Sequence, residues 1–297
     1  MGLLVLLPFF AIAIGLVSRF DRDPYSMVFL TWPLQFVCRG FFVFVPLNSK
    51  KFFIYLCPMG QKKLIRFAQI KAFPHVFEYP ENMAGQWHAF FKNNHPIVLE
   101  LACGRGEYTV GMAGLYPDKN FIGVDVKGNR MYIGAKKTMD AGLSNAAFLR
   151  TQIEMLGQYF APGEVNDIWI TFPDPQLRTS KAKKRLTHPR FLRLYKSILA
   201  PGGCIHLKTD SPDLYRFSLL VADMYGLTVH DKSDDIYARP NIAPELHIKT
   251  HYESLDIAGS NRIHYLQLSL PGQIADKDEE LYKILRETEQ SGSSVVI

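Results

Sequence analysis

Ile97-Val98-Leu99-Glu100-Leu101-Ala102-Cys103-Gly104-Arg105-Gly106 decides how the rest of the chain reads. A short apolar run, interrupted here only by Glu100, is the mark of a strand buried on both faces, which we place at Ile97–Ala102. The glycines that follow let the backbone turn sharply and come close to a ligand. Glu107–Tyr116 then reads as a helix, stopped by Pro117. Its first N–H groups aim at the same turn, which suits a carboxylate or a phosphate. A plain glycine turn between strand and helix is the bland alternative, and Gly-x-Gly alone does not exclude it.

Outward from that turn, strand and helix alternate. Phe121–Val126 is a strand and Asn129–Ala141 a helix with Gly142 as its stop. Ala146–Arg150 and Val165–Phe172 are strands. Pro189–Leu199 is helical and closes on Pro-Gly-Gly; Cys204–Thr209 is a strand and Pro212–Tyr225 a helix. Leu227–Asp231 and Ile263–Leu270 are late strands, and from Ala275 a loose helix and a frayed end are expected. This alternation predicts an α/β fold: a doubly wound, Rossmann-like sheet, mostly parallel with a late antiparallel strand, and helices on both faces.

Ligands of such sheets bind outside the carboxyl ends of the strands. Gly104 and Gly106 lie there. So does Asp125, about 20 residues on, where a carboxylate can accept both hydroxyls of a ribose. Glu100 sits inside an apolar run, where a carboxylate is costly unless it meets a cation or donors. It is either part of the ligand site or a buried structural acceptor. A dinucleotide dehydrogenase would share these features, but Thr109 stands where its third glycine belongs.

The fourth strand of the series exits through Thr171-Phe172-Pro173-Asp174-Pro175. The two prolines stiffen the exit and hold one carboxylate at the sheet edge. Arg178-Thr179-Ser180-Lys181-Ala182-Lys183-Lys184-Arg185-Leu186 follows. Charge runs are usually solvated loops, but beside the sheet edge this one reads as a phosphate-binding flap.

The formal net charge of +6 suits a polyanionic partner without requiring one. Cys38, Cys57, Cys103 and Cys204 form no CxxC pair and no cluster with histidine, so neither a metal site nor a disulfide framework is expected. Residues 1–58 are compositionally foreign to the remainder, with no charged side chain in the first 18 residues. Gly2–Ser18 is a candidate signal core or short membrane span, though it lacks a basic opening. Alternatively, 1–58 is a true extra domain, but it has neither clean helical nor clean strand periodicity. The third reading, which we favour, starts the functional protein at Met59, whose Met-Gly-Gln-Lys-Lys opening is soluble and basic. The domains are then an apolar extension, 1–58, and a catalytic domain, 59–297, with no stable membrane association unless the extension is real.

From about Pro96 to Leu270 the chain resembles the tRNA (guanine-N7)-methyltransferase family of class I S-adenosylmethionine-dependent methyltransferases. Phe172-Pro173-Asp174-Pro175, Lys184-Arg185-Leu186-Thr187, Lys208-Thr209-Asp210 and Thr250-His251-Tyr252-Glu253 carry the resemblance. Leu199-Ala200-Pro201-Gly202-Gly203 is similar to the turn before the fifth strand of such enzymes. The resemblance implies S-adenosyl-L-methionine as cofactor, held by Glu100, Asp125, Thr151 and Gln152 with the Gly104–Gly106 turn and Asp174. It implies Asp174 as the catalytic carboxylate. It implies tRNA or substrate contacts at Arg178, Asp210, Thr250, His251, Tyr252 and Glu253, to which the reading of the basic run as a flap adds Lys181, Lys184 and Arg185. The reaction implied is methylation of a variable-loop guanosine, position 46, at N7, in the cytoplasm. Departures are Gln176 where the family has Trp, Arg178 for Lys, and Thr151 for Asp or Asn. By themselves, Asp210 reads equally as a residue near a helix N-cap and Glu253 as a surface residue. Two rivals remain. A methyltransferase of small molecules or proteins would not need the basic run. A non-catalytic RNA-binding module would not need Glu100, Asp125 and Asp174 together.

Overall fold

The computed structural model describes residues 41–47, 50–56, 58–255, 259 and 262–291, with side chains over 64–255, 259 and 262–290. Gly2–Ser18, Cys38 and Cys57 lie outside these residues. The chain divides into two units, Met1–Pro58 and Met59–Ile297.

In the first unit, β1 (Phe41–Leu47) pairs antiparallel with β2 (Lys50–Leu56), Leu47 opposite Lys50 and Phe41 opposite Leu56. The hairpin forms although 1–58 lacks clean strand periodicity. Phe-Phe-Val-Phe-Val and Phe-Phe-Ile-Tyr are aromatic and β-branched on both faces, so they favour strand without alternating. The legible signal was Asn48-Ser49, two turn-type residues between two such runs.

Helix α1 (Pro58–Ile70) begins at the last residue of the first unit, and strand β3 (Val76–Glu78) and helix α2 (Trp87–Phe91) follow it in the second; the sequence pattern foretold none of the three. Next come β4 (Ile97–Leu101), α3 (Glu107–Leu115), β5 (Asn120–Asp125), α4 (Gly128–Asp140), β6 (Ala146–Arg150) and β7 (Val165–Thr171). The chain continues through α5 (Pro189–Ile198), β8 (Leu199–Thr209), α6 (Pro212–Met224), β9 (Thr228–Ser233), β10 (His264–Ser269) and α7 (Asp278–Ser291). One sheet of eight strands has the order β3-β6-β5-β4-β7-β8-β10-β9. Neighbours from β3 to β8 are parallel, and β10 runs antiparallel to both β8 and β9. This is the doubly wound α/β sheet with a late antiparallel strand.

Both faces are covered, which is why β4 reads as continuous apolar sequence. Ile97, Leu99 and Leu101 pack with Phe191 and Leu192 of α5, Phe217 of α6, and Leu281 and Leu285 of α7. Val98 packs the other way, with Tyr108 and Met112 of α3. Phe148 joins Ile70 of α1 and Met131 of α4 on that side. α7 is therefore a core helix rather than the loose one expected: Leu281 is fully buried and Arg193 holds Asp278 at 2.8 Å.

The Pro-Gly-Gly stretch is not a helix stop but the opening of β8. α5 ends at Ile198, Val165 pairs with Leu199, and the register then shifts so that Asp167 meets Cys204. Gly202 takes φ 81°, and a Cβ at Gly203 would stand 2.4 Å from the Asn166 carbonyl oxygen. Among the described residues, no helix is long and apolar enough to cross a membrane.

The strand order reverses between β4 and β7. β4 is followed on one side by β5 and β6, while the chain returns on the other through β7 and β8. The crevice above that reversal is where such sheets take ligands.

Candidate active site

An open cavity of about 1040 Å³ occupies this crevice. Its floor is the turns leaving β4, β5, β6, β7 and β8, represented by Gly104, Asp125, Thr151, Asp174 and Asp210. Its rims carry cations on both sides: Lys127 and Arg130 at the start of α4, Lys184 and Arg190 beside α5.

Asp125 ties two of the floor turns together. Gly104 N–H donates to its Oδ2 at 2.9 Å and Lys127 N–H to its Oδ1 at 2.8 Å. The acceptor capacity left on both oxygens faces the cavity, which suits a pair of hydroxyls. Ala102, Gly104 and Gly106 all have positive φ, 57°, 55° and 68°, so the chain leaves β4 through three left-handed residues. Gly104 lines the cavity. Gly106 does not: it caps α3, and a Cβ there would stand 2.5 Å from Phe148 Cε1. Its role is packing. Thr151 is fully buried at the cavity wall, and its Oγ1 has no hydrogen-bond partner. Gln152 lines the same wall.

Glu100 lies behind the wall, not in it. Its Oε2 accepts from Thr109 N–H at 2.7 Å and from the Thr109 hydroxyl, and its Oε1 from the Thr171 hydroxyl at 2.7 Å. Burial pushes the carboxyl up to about 7, although these bonds favour the charged form. The structural-acceptor alternative describes this geometry: the side chain braces β4, α3 and β7.

The exit from β7 is strained. Phe172 has φ 47° and Gln176 φ 48°, unusual for residues with side chains. Phe172 N–H is held by the Lys208 carbonyl at 2.8 Å. Asp174 Oδ1 accepts from Gln176 N–H at 3.1 Å, which fixes an exposed carboxylate in the cavity wall.

The basic run is an ordered 3₁₀ turn, Thr179–Lys184, that buries Ala182 and packs against α7. Lys181, Lys183 and Lys184 are exposed, and Lys184 reaches the cavity. Arg178 is exposed outside the lining. Arg185 corrects the expectation of a phosphate contact. Its guanidinium is buried, donates to the Gln176 and Leu177 carbonyls at 3.1–3.3 Å, and lies 4.4 Å from the Phe217 ring. It pins the flap rather than meeting a ligand.

The Thr250–Glu253 segment splits likewise. Tyr252 lines the cavity beside Gly104 and receives a hydrogen bond from Arg130 on its hydroxyl, with the guanidinium carbon 5.6 Å from the ring centroid. His251 packs near Tyr252 but is not in the lining. Thr250 is buried and its Oγ1 accepts from Glu253 N–H at 3.2 Å. Glu253 turns inward to Lys208, 3.1 Å away, so a direct substrate contact is not its placement here.

Sequence reasoning missed Lys127, Arg130, Arg190 and Lys208. For Lys208 a signal existed: a charge inside the apolar run Ile205-His206-Leu207-Lys208, the same cue that singled out Glu100. The other three are ordinary surface cations until the fold brings them to one rim. Among the described residues, no cluster of His, Cys, Asp and Glu stands at metal-ligand spacing.

Residues 94–265 match a family model described as a putative methyltransferase. The tRNA (guanine-N(7)-)-methyltransferase of Porphyromonas gingivalis W83 is 51% identical over 213 residues, covering 68% of this chain and 86% of that protein. The protein of the same name from Bacteroides thetaiotaomicron is 44% identical over 249 residues, covering 79% and 98%. Among solved structures, the 16S rRNA methyltransferase KamB aligns with a TM-score of 0.49 at 16% identity, covering 66% of this chain and 99% of its own. The fold assignment rests on the strand order; the identities over most of the chain, with the family-model match, place this protein in the tRNA (guanine-N(7)-)-methyltransferase family.

Proposed function

We propose that this protein methylates N7 of a guanosine in tRNA, at position 46 of the variable loop, as a cytoplasmic enzyme. Its cofactor is S-adenosyl-L-methionine, which supplies an electrophilic methyl group on a positively charged sulfur. The cavity's residues fit that group. Asp125 offers acceptors for the ribose hydroxyls, the Gly104 turn allows close backbone approach, and the orphaned Thr151 hydroxyl awaits a polar partner.

Guanine N7 carries a lone pair and no proton, so no strong general base is needed. The protein must align the reacting atoms and manage charge. The product base is cationic, and the Asp174 carboxylate, fixed at the cavity wall, favours that charge as it develops. Lys184 and Arg190 on one rim and Lys127 and Arg130 on the other suit the phosphates of a strand crossing the cavity mouth. The base edge must be exposed, so local unstacking of the tRNA accompanies binding.

One observation carries the proposal: a single cavity combines the hydroxyl-accepting Asp125, the exposed Asp174 and cations on both rims. The test is mass mapping of nucleosides in tRNA incubated with the protein and S-adenosyl-L-methionine. Appearance of 7-methylguanosine is expected. Methylation elsewhere, or of small molecules only, refutes it.

A further inference from the structure

Lys208, which does not line the cavity, is the most heavily bonded buried charge among the described residues. It is fully buried at the carboxyl end of β8. Its Nζ lies within hydrogen-bond distance of four acceptors, which its three N–H groups must share: the Leu246 carbonyl at 2.9 Å, the Ile248 carbonyl at 3.0 Å, the Tyr237 hydroxyl at 3.1 Å and Glu253 Oε2 at 3.1 Å. The Tyr237 hydroxyl donates to the other Glu253 oxygen, which closes a three-membered network. The rings of Tyr108, Phe172 and Tyr237 surround the ammonium at 5.4–5.7 Å. A lysine left without these partners would not stay charged in such a place.

What the lysine joins matters more than its burial. Its side chain gathers both ends of the stretch from Leu246 to Glu253, whose Tyr252 stands over the cavity. Its backbone carbonyl holds Phe172 N–H, the strained residue two before Asp174. In the sheet it pairs with Thr171 on one side and Tyr265 on the other. One residue therefore bonds the loop carrying the proposed catalytic carboxylate and the segment carrying the cavity's aromatic cover. Arg130 clamps the far tip of that segment through Tyr252.

We propose that Lys208 is a positioning residue: it sets Thr250 and Tyr252 against the Phe172–Asp174 loop, and Glu253 acts on the substrate only through it. The inference rests on the proposed function for what is positioned, but its structural half stands alone. A displacement of about 1 Å in such an arrangement can lower turnover by about a hundredfold without changing affinity.

The experiment is a mutant cycle on the full chain with two readouts. Lys208→Met removes the charge and keeps the length; Glu253→Gln neutralises its partner; the third variant carries both. Methyl transfer to tRNA is followed as kcat and KM, together with the dissociation constant of S-adenosyl-L-methionine. Hydrogen exchange of the amides in residues 246–253 is measured without tRNA. Lys208→Met should lower kcat by at least about tenfold with cofactor affinity within about threefold, and should speed exchange in that segment. The double variant should be no worse than the weaker single one, because an unpaired buried charge is costlier than none. Additive losses, with Glu253→Gln raising KM for tRNA equally with or without Lys208, would overturn the proposal and return Glu253 to the substrate surface. Tyr237→Phe covers the case in which Lys208→Met does not fold. It removes one hydroxyl shared by both partners and should speed exchange in 246–253; unchanged exchange there refutes the network. If the wild type methylates no tRNA, the proposed function fails while the exchange measurements still decide this inference.

Discussion

Replacing Glu100 with Gln separates the two roles open to that residue. The carboxyl is buried and pushed from its ordinary 4.5 to about 7. The unfolded chain thus releases the proton near pH 4.5 and the folded chain near 7. Between these values the folded state binds the extra proton, so stability falls as pH rises, and above about 7 the whole loss is present. At 1.36 kcal/mol per unit the loss amounts to about 3 kcal/mol. Gln keeps the geometry: its carbonyl oxygen can accept the two Thr109 bonds and its amide can donate to the Thr171 hydroxyl. The variant has no ionisation to lose. Urea unfolding of both proteins from pH 4 to 8 should show wild-type stability falling relative to Glu100→Gln across this window and level above it. Calorimetry at pH 8 should find S-adenosyl-L-methionine affinity retained. A flat difference across the window, or a tenfold loss of affinity in a folded variant, would refute the reasoning and make Glu100 a cofactor ligand.

Four further outcomes are expected. Ala at Lys181, Lys183 and Lys184 should raise KM for tRNA and flatten its salt dependence, since fewer phosphate counterions are released; Arg185→Ala should instead cost about 2–4 kcal/mol of stability in denaturant unfolding, because two carbonyls and the Phe217 face lose their partner. Gly106→Ala combines φ 68° with a Cβ 2.5 Å from Phe148 and should destabilise by at least about 2 kcal/mol in the same assay, with Gly142→Ala, where nothing crowds the added carbon, as its control for the left-handed backbone. A chain beginning at Met59 should fold and bind S-adenosyl-L-methionine with the affinity of the full chain; insolubility or lost affinity would make residues 1–58 part of the fold.

The central strands were legible because burial on both faces writes them as unbroken apolar runs between glycine and proline turns. β3 was not, since three residues at a sheet edge leave no period to read. The β8 opening was misread because Pro-Gly-Gly signals a break, whereas the register shift against β7 absorbs it. In the site, Asp125 and Asp174 were read from the turn and the prolines that end their strands, whereas Tyr252 came from the family resemblance alone; all three line the cavity. Glu100 was marked by its place in an apolar run, with ligand and structural roles both open; Arg185 was read only as part of the basic run and Glu253 only through the resemblance, and both of these turn inward. Sequence marks a buried charge as significant without telling which way it faces, and here Thr109, the Gln176 carbonyl and Lys208 are the partners it faces. Lys127, Arg130 and Arg190 come together only through tertiary packing, and nothing local marks them.

The central claim is that Asp174 serves a reacting guanine in tRNA. Borohydride reduction and aniline cleavage of tRNA treated with the protein and S-adenosyl-L-methionine reports 7-methylguanosine at a defined position. The account predicts cleavage at position 46 with the wild type, and loss of most of it with Asp174→Ala while cofactor binding persists. Cleavage undiminished in Asp174→Ala, or a wild type that binds cofactor yet leaves tRNA uncleaved, would contradict it.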